Sequence, residues 1–224
     1  MGAVPLVIVG AGGFARETAE AVHHINDVAS TFELLGYVDD DPALHGCQVD
    51  GLPVLGPTVA VTAMSEVLCV VCVGNPRDPL ARRRVAQRLG MPDSRLATIV
   101  HPTVVVPGSA SVGAGTVLLA GVVLTAAVTV GRHVAVMPQV VCTHDDVVED
   151  FATLGAGVRL AGHVRVGAGA YVGSGALVRE GLTVGDGALV GMGSVVLHDV
   201  PAGQTWAGVP ARRLPVRVPS EATP

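Results

Sequence analysis

The stretch CTHDDVVED, residues 142–150, concentrates side chains that can carry protons. In it His144 stands beside Asp145, and an imidazole next to a carboxylate is the minimal general-base pair. Histidine titrates at about pH 6.5, and a neighbouring acid orients the ring and raises its basicity. A solvated histidine on a hydrophilic corner is the plain alternative. Position favours chemistry, because the stretch breaks a repeat that is regular on both sides.

A second constellation lies near the start. The apolar run VPLVIVG, residues 4–10, leads into GAGGFARETAEAVHH, where Gly10, Gly12 and Ala15 satisfy G-x-G-x-x-G/A. Such glycines permit a tight strand-to-helix turn and close backbone approach, and the helix N-terminus attracts phosphate. Alone the motif is weak, since any tight turn uses the same residues. A second strand, ELLGYVD, ends in Asp39-Asp40-Asp41, where Asp39 or Asp40 could bond a ribose hydroxyl or a base N–H. A third, EVLCVVCVG, ends in Gly74; Asp78-Pro79 then reads as an N-cap with proline at N1, opening a helix to about Leu89. This β-α-β-β-α order is half of a doubly wound fold, enough for one nucleotide and short for a dinucleotide.

The elements that must position His144 follow from a period of six. Of the seventeen positions stepped from Val100 to Val196, all but Cys142 are Val or Leu, and the register never slips. Glycine often comes next, as at Gly113, Gly131, Gly155 and Gly173, and the fourth position after the aliphatic is small or β-branched. A solenoid of short strands and turns has this period, with the aliphatic inward and glycine supplying turn dihedrals. A parallel β-helix over about 98–201 is expected. Within it Thr143 and Glu149 stand where glycine is usual, and Asp146 fills a small or apolar slot. In a coil of three units, the size that the family resemblance below implies, His163 is a vertical neighbour of Asp145, about 5 Å away. His133 and His198 are expected at the surface.

Half of the 224 residues are apolar while aromatics make only 3%, so the core is expected to consist of Val, Leu and Ala in many short strands. Net charge is −5 and the basic residues are scattered, apart from Arg82-Arg83-Arg84, which argues against a nucleic-acid or anionic-membrane surface. No apolar stretch reaches the roughly 18 residues of a bilayer span, and the first residues lack the basic segment of a signal peptide. Cys69 and Cys72 form a C-x-x-C inside a strand. Three residues apart they face opposite ways, which excludes chelation of one metal or a relaxed disulfide. A cytoplasmic protein is expected, and the absence of a clustered ligand set speaks against a metal.

Over residues 4–214 the chain resembles the NeuD/PglD-type sugar acetyltransferases, hexapeptide-repeat enzymes with a left-handed β-helix. The segments IVGAGGFARE, YVDDDP, VCVGNP, TIVHPTVVV, THDDVVEDFATLGAG, LAGHVRVGAGAYVGSGALV and WAGVPARRL carry the resemblance. It implies a nucleotide-sugar-binding α/β domain at 1–96, a left-handed β-helix acetyltransferase domain at 97–214 and a flexible tail at 215–224. It further implies a homotrimer with sites between subunits. Acetyl would pass directly from acetyl-CoA to the amino group of a nucleotide-linked, UDP-type 4-amino-4,6-dideoxy sugar, without a metal.

Carried over by motif, His144 is the general base and Asp145 its partner. Gly12, Gly13, Phe14, Asp39, Asp40 and Gly74 would hold the nucleotide sugar. Thr153, Gly162, Ser174 and Met192 would lie along the acetyl-CoA groove, and Gly162 would offer its N–H to the oxyanion. Phe14 and Thr153 depart from histidines common at those places in the family, and Asp145 from the Glu of some relatives. Competing expectations are O-acetylation of sialic acid or a related sugar hydroxyl, a trimeric scaffold that senses a nucleotide, and an NAD-dependent enzyme. The half-size nucleotide fold counts against the last.

Overall fold

The computed structural model of the chain describes residues 2–75 and 78–215. In chain order the first unit runs β1 (Val4–Val9), α1 (Gly13–Val28), β2 (Phe32–Val38), a hairpin of β3 (Gln48–Val49) and β4 (Leu52–Pro53), β5 (Leu68–Val71) and α2 (Ala81–Leu89). β1 is the middle of a parallel sheet ordered β2-β1-β5. It is central because it is apolar on both faces: Leu6 and Ile8 pack in the layer of α1, Val7 and Val9 in the layer of α2. α1 buries Ala15, Thr18, Ala19 and Val22, the spacing of one helix face. Cys69 and Cys72 lie in opposite layers, as their separation along a strand requires.

Two details of this unit differ from expectation. α2 begins at Ala81 with Leu80 as its N-cap, not at Asp78-Pro79. The Asp78 carboxylate pairs with the Arg84 guanidinium instead of capping. The hairpin and three 3-10 turns between Pro42 and Arg95 are too short to show a period in the sequence.

From Ile99 to Val196, sixteen two-residue strands wind into three parallel sheets. Each pairs with strands eighteen residues away, as Val147 does with Thr129 and Arg165. One coil carries Val147–Val148 on a first face, Thr153–Leu154 on a second and Arg159–Leu160 on a third. The inward aliphatics from Leu118 onward form one continuous core, each contributing about 1.5–3 kcal/mol by leaving water. At the open end the pattern weakens. Val106 is 41% exposed, since no earlier coil covers it and its unit makes only the bridge Val105–Val123.

Glycine acts otherwise than expected. A Cβ at Gly113 or Gly173 would lie 2.6 Å from the backbone of the next coil, so these positions require close approach and not special dihedrals. The left-handed angles fall two residues later, in every unit from Gly115 to Gly193. Six such positions are not glycine: Ala127, His133, Gln139, Asp145, Phe151 and His163, with φ from 52 to 63°. Thr143 is also no departure from its own edge, where Thr125, Ala161, Arg179 and Leu197 fill the equivalent slot. Glu149 is one, because Gly113, Gly131, Gly167 and Gly185 share its slot.

The α/β unit rests on the second face. Ile99, Val117 and Leu119 join its core, and Ala135 is buried beneath it. His133, expected at the surface, is 5% exposed and stacks on Phe151 with centroids 5.0 Å apart, because α2 covers that corner. His198 is exposed. Among the described residues no helix is long and apolar enough to cross a membrane. The expected tail lies outside the described residues from 216 onward.

Candidate active site

His144 and Asp145 occupy the corner between the third and first faces, and His144 Nδ1 lies 2.9 Å from Asp145 Oδ2. Asp145 sits at φ 62°, a region that Asp and His tolerate better than most residues. One coil on, His163 Nε2 is 3.6 Å from the same carboxylate oxygen, and its ring meets that of His144 edge-on at 5.1 Å. Asp145 thus faces two imidazoles, and all three side chains are exposed. Asp146 points the other way and is fully buried. Its Oδ2 accepts the Thr143 N–H and its Oδ1 the Val164 N–H, each at 2.8 Å. Burial pushes its carboxyl up to about 6, while the two N–H groups and the nearby imidazoles of His144 and His163 act in the other direction.

Gly162 lies against the His144 ring, where a Cβ would overlap the imidazole. Its carbonyl accepts from Gly181, and its N–H donates to no group among the described residues. Cys142 is inward-facing and its thiol is pushed far up by burial, so it supplies no thiolate. One ligand-type atom from each of His144, Asp145 and His163 falls within 4.8 Å of the others. The sequence reading expected no such grouping. Exposed acids commonly gather without an ion, and this proximity alone does not argue for one.

On the α/β unit, Gly12 caps α1 without a side chain, Gly12 and Gly13 are exposed, and the first turn carries no acid. The N-terminal N–H groups of α1 therefore lie at an exposed turn, with no acid of the helix's own first turn set against their partial positive charge. Asp39 supports this turn: its Oδ2 accepts the Ala11 N–H at 2.8 Å and its Oδ1 the Asp41 N–H at 2.9 Å. Asp40 is engaged by Thr58, through N–H at 3.0 Å and hydroxyl at 2.8 Å, and by Arg88.

Phe14, Gly74, Thr153 and Ser174 line one cleft of about 330 Å³ between the α/β unit and the second face. Sequence reasoning missed its most consequential member, Arg82, which is 3% exposed. Arg82 donates to the carbonyls of His133 (2.8 Å), Phe151 (2.9 Å) and Ala152 (3.0 Å) and to Thr153 Oγ1 (2.8 Å). Its guanidinium carbon stands 5.9 Å from the Phe14 ring centroid. Among the described residues no carboxylate pairs with it, and burial lowers its pKa to about 10, which leaves it charged at neutral pH. The available signal was its place on the face of α2 that also carries Val85 and Leu89.

The two sets stay apart within one chain. Ser174 and Met192, the latter 81% exposed, sit on the corner between the second and third faces, one coil from each other. His144 and Gly162 sit on the next corner. Successive corners of a three-sided coil are different edges of a prism, so a single chain does not bring His144 to the cleft.

Residues 5–89 match the family described as PglD N-terminal domain. UDP-N-acetylbacillosamine N-acetyltransferase of Bacillus subtilis (strain 168) is 38% identical over 69 residues, which is 29% of this chain and 31% of that relative's length. The match thus spans under a third of that protein. Likeness to solved structures runs the length of the chain. The acetyltransferase domain of PglB from Neisseria gonorrhoeae FA1090, solved with acetyl coenzyme A, is 31% identical with a TM-score of 0.84, over 95% of this chain and 100% of that one. GDP-perosamine N-acetyltransferase from Caulobacter crescentus is 30% identical with a TM-score of 0.83, over 94% of this chain and 97% of that one. It was solved as a histidine-to-alanine mutant with CoA and GDP-perosamine. The solenoid described above is accordingly the left-handed β-helix of that group.

Proposed function

This chain belongs to the PglD-type sugar acetyltransferases, and we propose that it moves acetyl from acetyl-CoA onto the amino group of a nucleotide-linked 4-amino-4,6-dideoxy sugar, with UDP as the carrier. The observation that carries this reading is the 2.9 Å contact between His144 Nδ1 and Asp145 Oδ2. With Nδ1–H donated to the carboxylate, Nε2 holds the lone pair and acts as the base. It takes a proton from the sugar's amino group as that nitrogen attacks the thioester carbonyl. The oxyanion of the tetrahedral adduct accepts the N–H of Gly162. Collapse breaks the C–S bond, and CoA leaves as a thiol with the proton returned from His144. No acyl-enzyme intervenes, since the one cysteine near this site is buried.

In this reading the nucleotide diphosphate lies at the uncapped start of α1, against Gly12, Gly13, Phe14 and Gly74, with Asp39 and Asp40 holding the surrounding loops. Acetyl-CoA runs along Thr153, Ser174 and Met192. Two observations support a homotrimer: the cleft and His144 lie on different edges, and the third face turns Val123, Val141, Leu177 and Val195 outward, with Leu177 45% exposed. The neighbouring subunit would bring its His144 to the cleft. The GDP-perosamine bound by the Caulobacter relative makes GDP the competing carrier.

The test is thiol release from acetyl-CoA with UDP- and GDP-linked amino sugars and with sialic acid. Release with an amino sugar, lost in His144→Ala, is the expected result. Release with sialic acid alone would move the assignment to O-acetylation, and an active His144→Ala protein would remove the base.

A further inference from the structure

We infer that Asp146 is a positioning residue for the reaction at His144: its buried carboxylate ties the turn bearing His144 and Asp145 to the turn above, bearing Gly162 and His163, and sets a negative charge beneath both imidazoles. The inference rests on His144 acting as the base.

The architecture does not itself call for an acid here. In this inward slot, from Ala110 to Val200, the only polar residues are Thr116, Asp146 and Ser194. Thr116 Oγ1 accepts the Val134 N–H of the next coil at 3.0 Å, and Ser194 Oγ accepts the Gly208 N–H at 3.2 Å. A neutral hydroxyl therefore suffices to join two coils. A carboxylate adds a second acceptor and a charge. The second acceptor takes the Thr143 N–H, the first residue of the turn that presents His144.

The charge has few neighbours. Facing Asp146 are Cys142, His144 and Asp145 of its own turn and His163 of the turn above; Thr125, Ala126 and Ala127 of the preceding coil do not titrate near neutrality. Burial raises the carboxyl to about 6, so it is mainly ionised at neutral pH. Of the groups around it, only the two imidazoles become cations when they gain a proton. An anion fixed beneath them favours the imidazolium that His144 becomes as it accepts the amine proton.

Asp146→Asn and Asp146→Thr test this in the full-length protein, the second keeping an acceptor for Val164 as Thr116 does for Val134. Turnover should fall by roughly 10–100-fold, with the KM for acetyl-CoA unchanged and the acid limb of the kcat profile displaced to lower pH. An acid limb that stays at its wild-type position in a folded variant would overturn the inference, and a lowered melting temperature alone would make Asp146 a structural tie only. If the Asn variant does not fold, the Thr variant decides. The acid limb in the Asp146 variants judges Asp146, and thiol release in His144→Ala judges the base on which it rests, so the two can fail separately.

Discussion

Gly162 and the His144 ring are in van der Waals contact across one coil, and the imidazole fills the space where any other residue at 162 would carry its Cβ. Gly162→Ala must therefore displace the ring, whatever else it leaves in place. Turnover should drop by about 100-fold, with little change in the unfolding midpoint because the exposed His144 ring can swing aside into solvent. Thiol release paired with thermal unfolding checks this, and wild-type turnover would show that the ring's position is not limiting.

Removal of the base itself is a separate measurement. His144→Ala should lower kcat by roughly 10²–10⁴-fold if proton removal from the amine limits transfer. The side chain is exposed, so the melting temperature should stay within a degree or two of wild type.

Arg82 joins the α/β unit to the solenoid. Arg82→Met would strand the carbonyls of Val73, His133 and Phe151 and the Thr153 hydroxyl in a buried seam, while the Ala152 carbonyl keeps the Ala135 N–H, at about 1–3 kcal/mol for each group left without a donor. A loss of more than about 3 kcal/mol in urea unfolding is expected, greater than for Arg83→Met on the exposed side of α2. Equal losses in the two variants would contradict the role assigned to Arg82.

Two buried groups titrate in opposite senses over one pH window. Asp146, raised from 3.8 to about 6, favours the native state at low pH, and that contribution is lost as pH rises through about 6. His133, lowered from 6.5 to about 4 by burial, favours the native state above 6.5 and loses that contribution as pH falls through about 4. Their contributions offset each other in the wild type. Between about pH 4 and 6.5, stability should fall with rising pH in His133→Leu and rise in Asp146→Asn. Urea midpoints at the two ends of the window give the sign for each variant, and slopes of one sign in both would refute the pairing.

Cysteine chemistry offers a further check. Cys47 is exposed, whereas Cys69, Cys72 and Cys142 are buried with thiols pushed up by burial. Alkylation of the native protein should label Cys47 alone, by mass spectrometry, and leave thiol release from acetyl-CoA unchanged. Loss of activity tracking modification of Cys142 would reopen a covalent route.

The solenoid was legible because a period of six sustained from Val100 to Val196 has few physical interpretations. The His144–Asp145 pair was legible as a break within it. What escaped depends on contacts between distant segments. His133 is spaced like a surface residue and becomes buried only because α2 lies over its corner, and Arg82 looks like one of three arginines until five distant groups converge on it. The reason for the recurrent glycines was equally hidden, since sequence cannot distinguish a left-handed dihedral from a backbone that passes too close for a Cβ. Asp78 followed by proline satisfied the rule for a helix start, yet Arg84 offered its carboxylate a better partner than an N-terminal turn.

The grip of Arg82 also sets an altitude. It holds the carbonyls of His133 and Phe151, on neighbouring coils, and His144 lies between those two residues in the chain. The storey at which the α/β unit sits is thereby pinned to the storey of the base. Coils stacked above Val166 can be added or removed in whole steps of eighteen residues, the pairing interval of the strands, without lifting one relative to the other. Such a tower can change its height in evolution or by design while its working floor stays level, whereas one residue gained between His133 and Phe151 would tilt it.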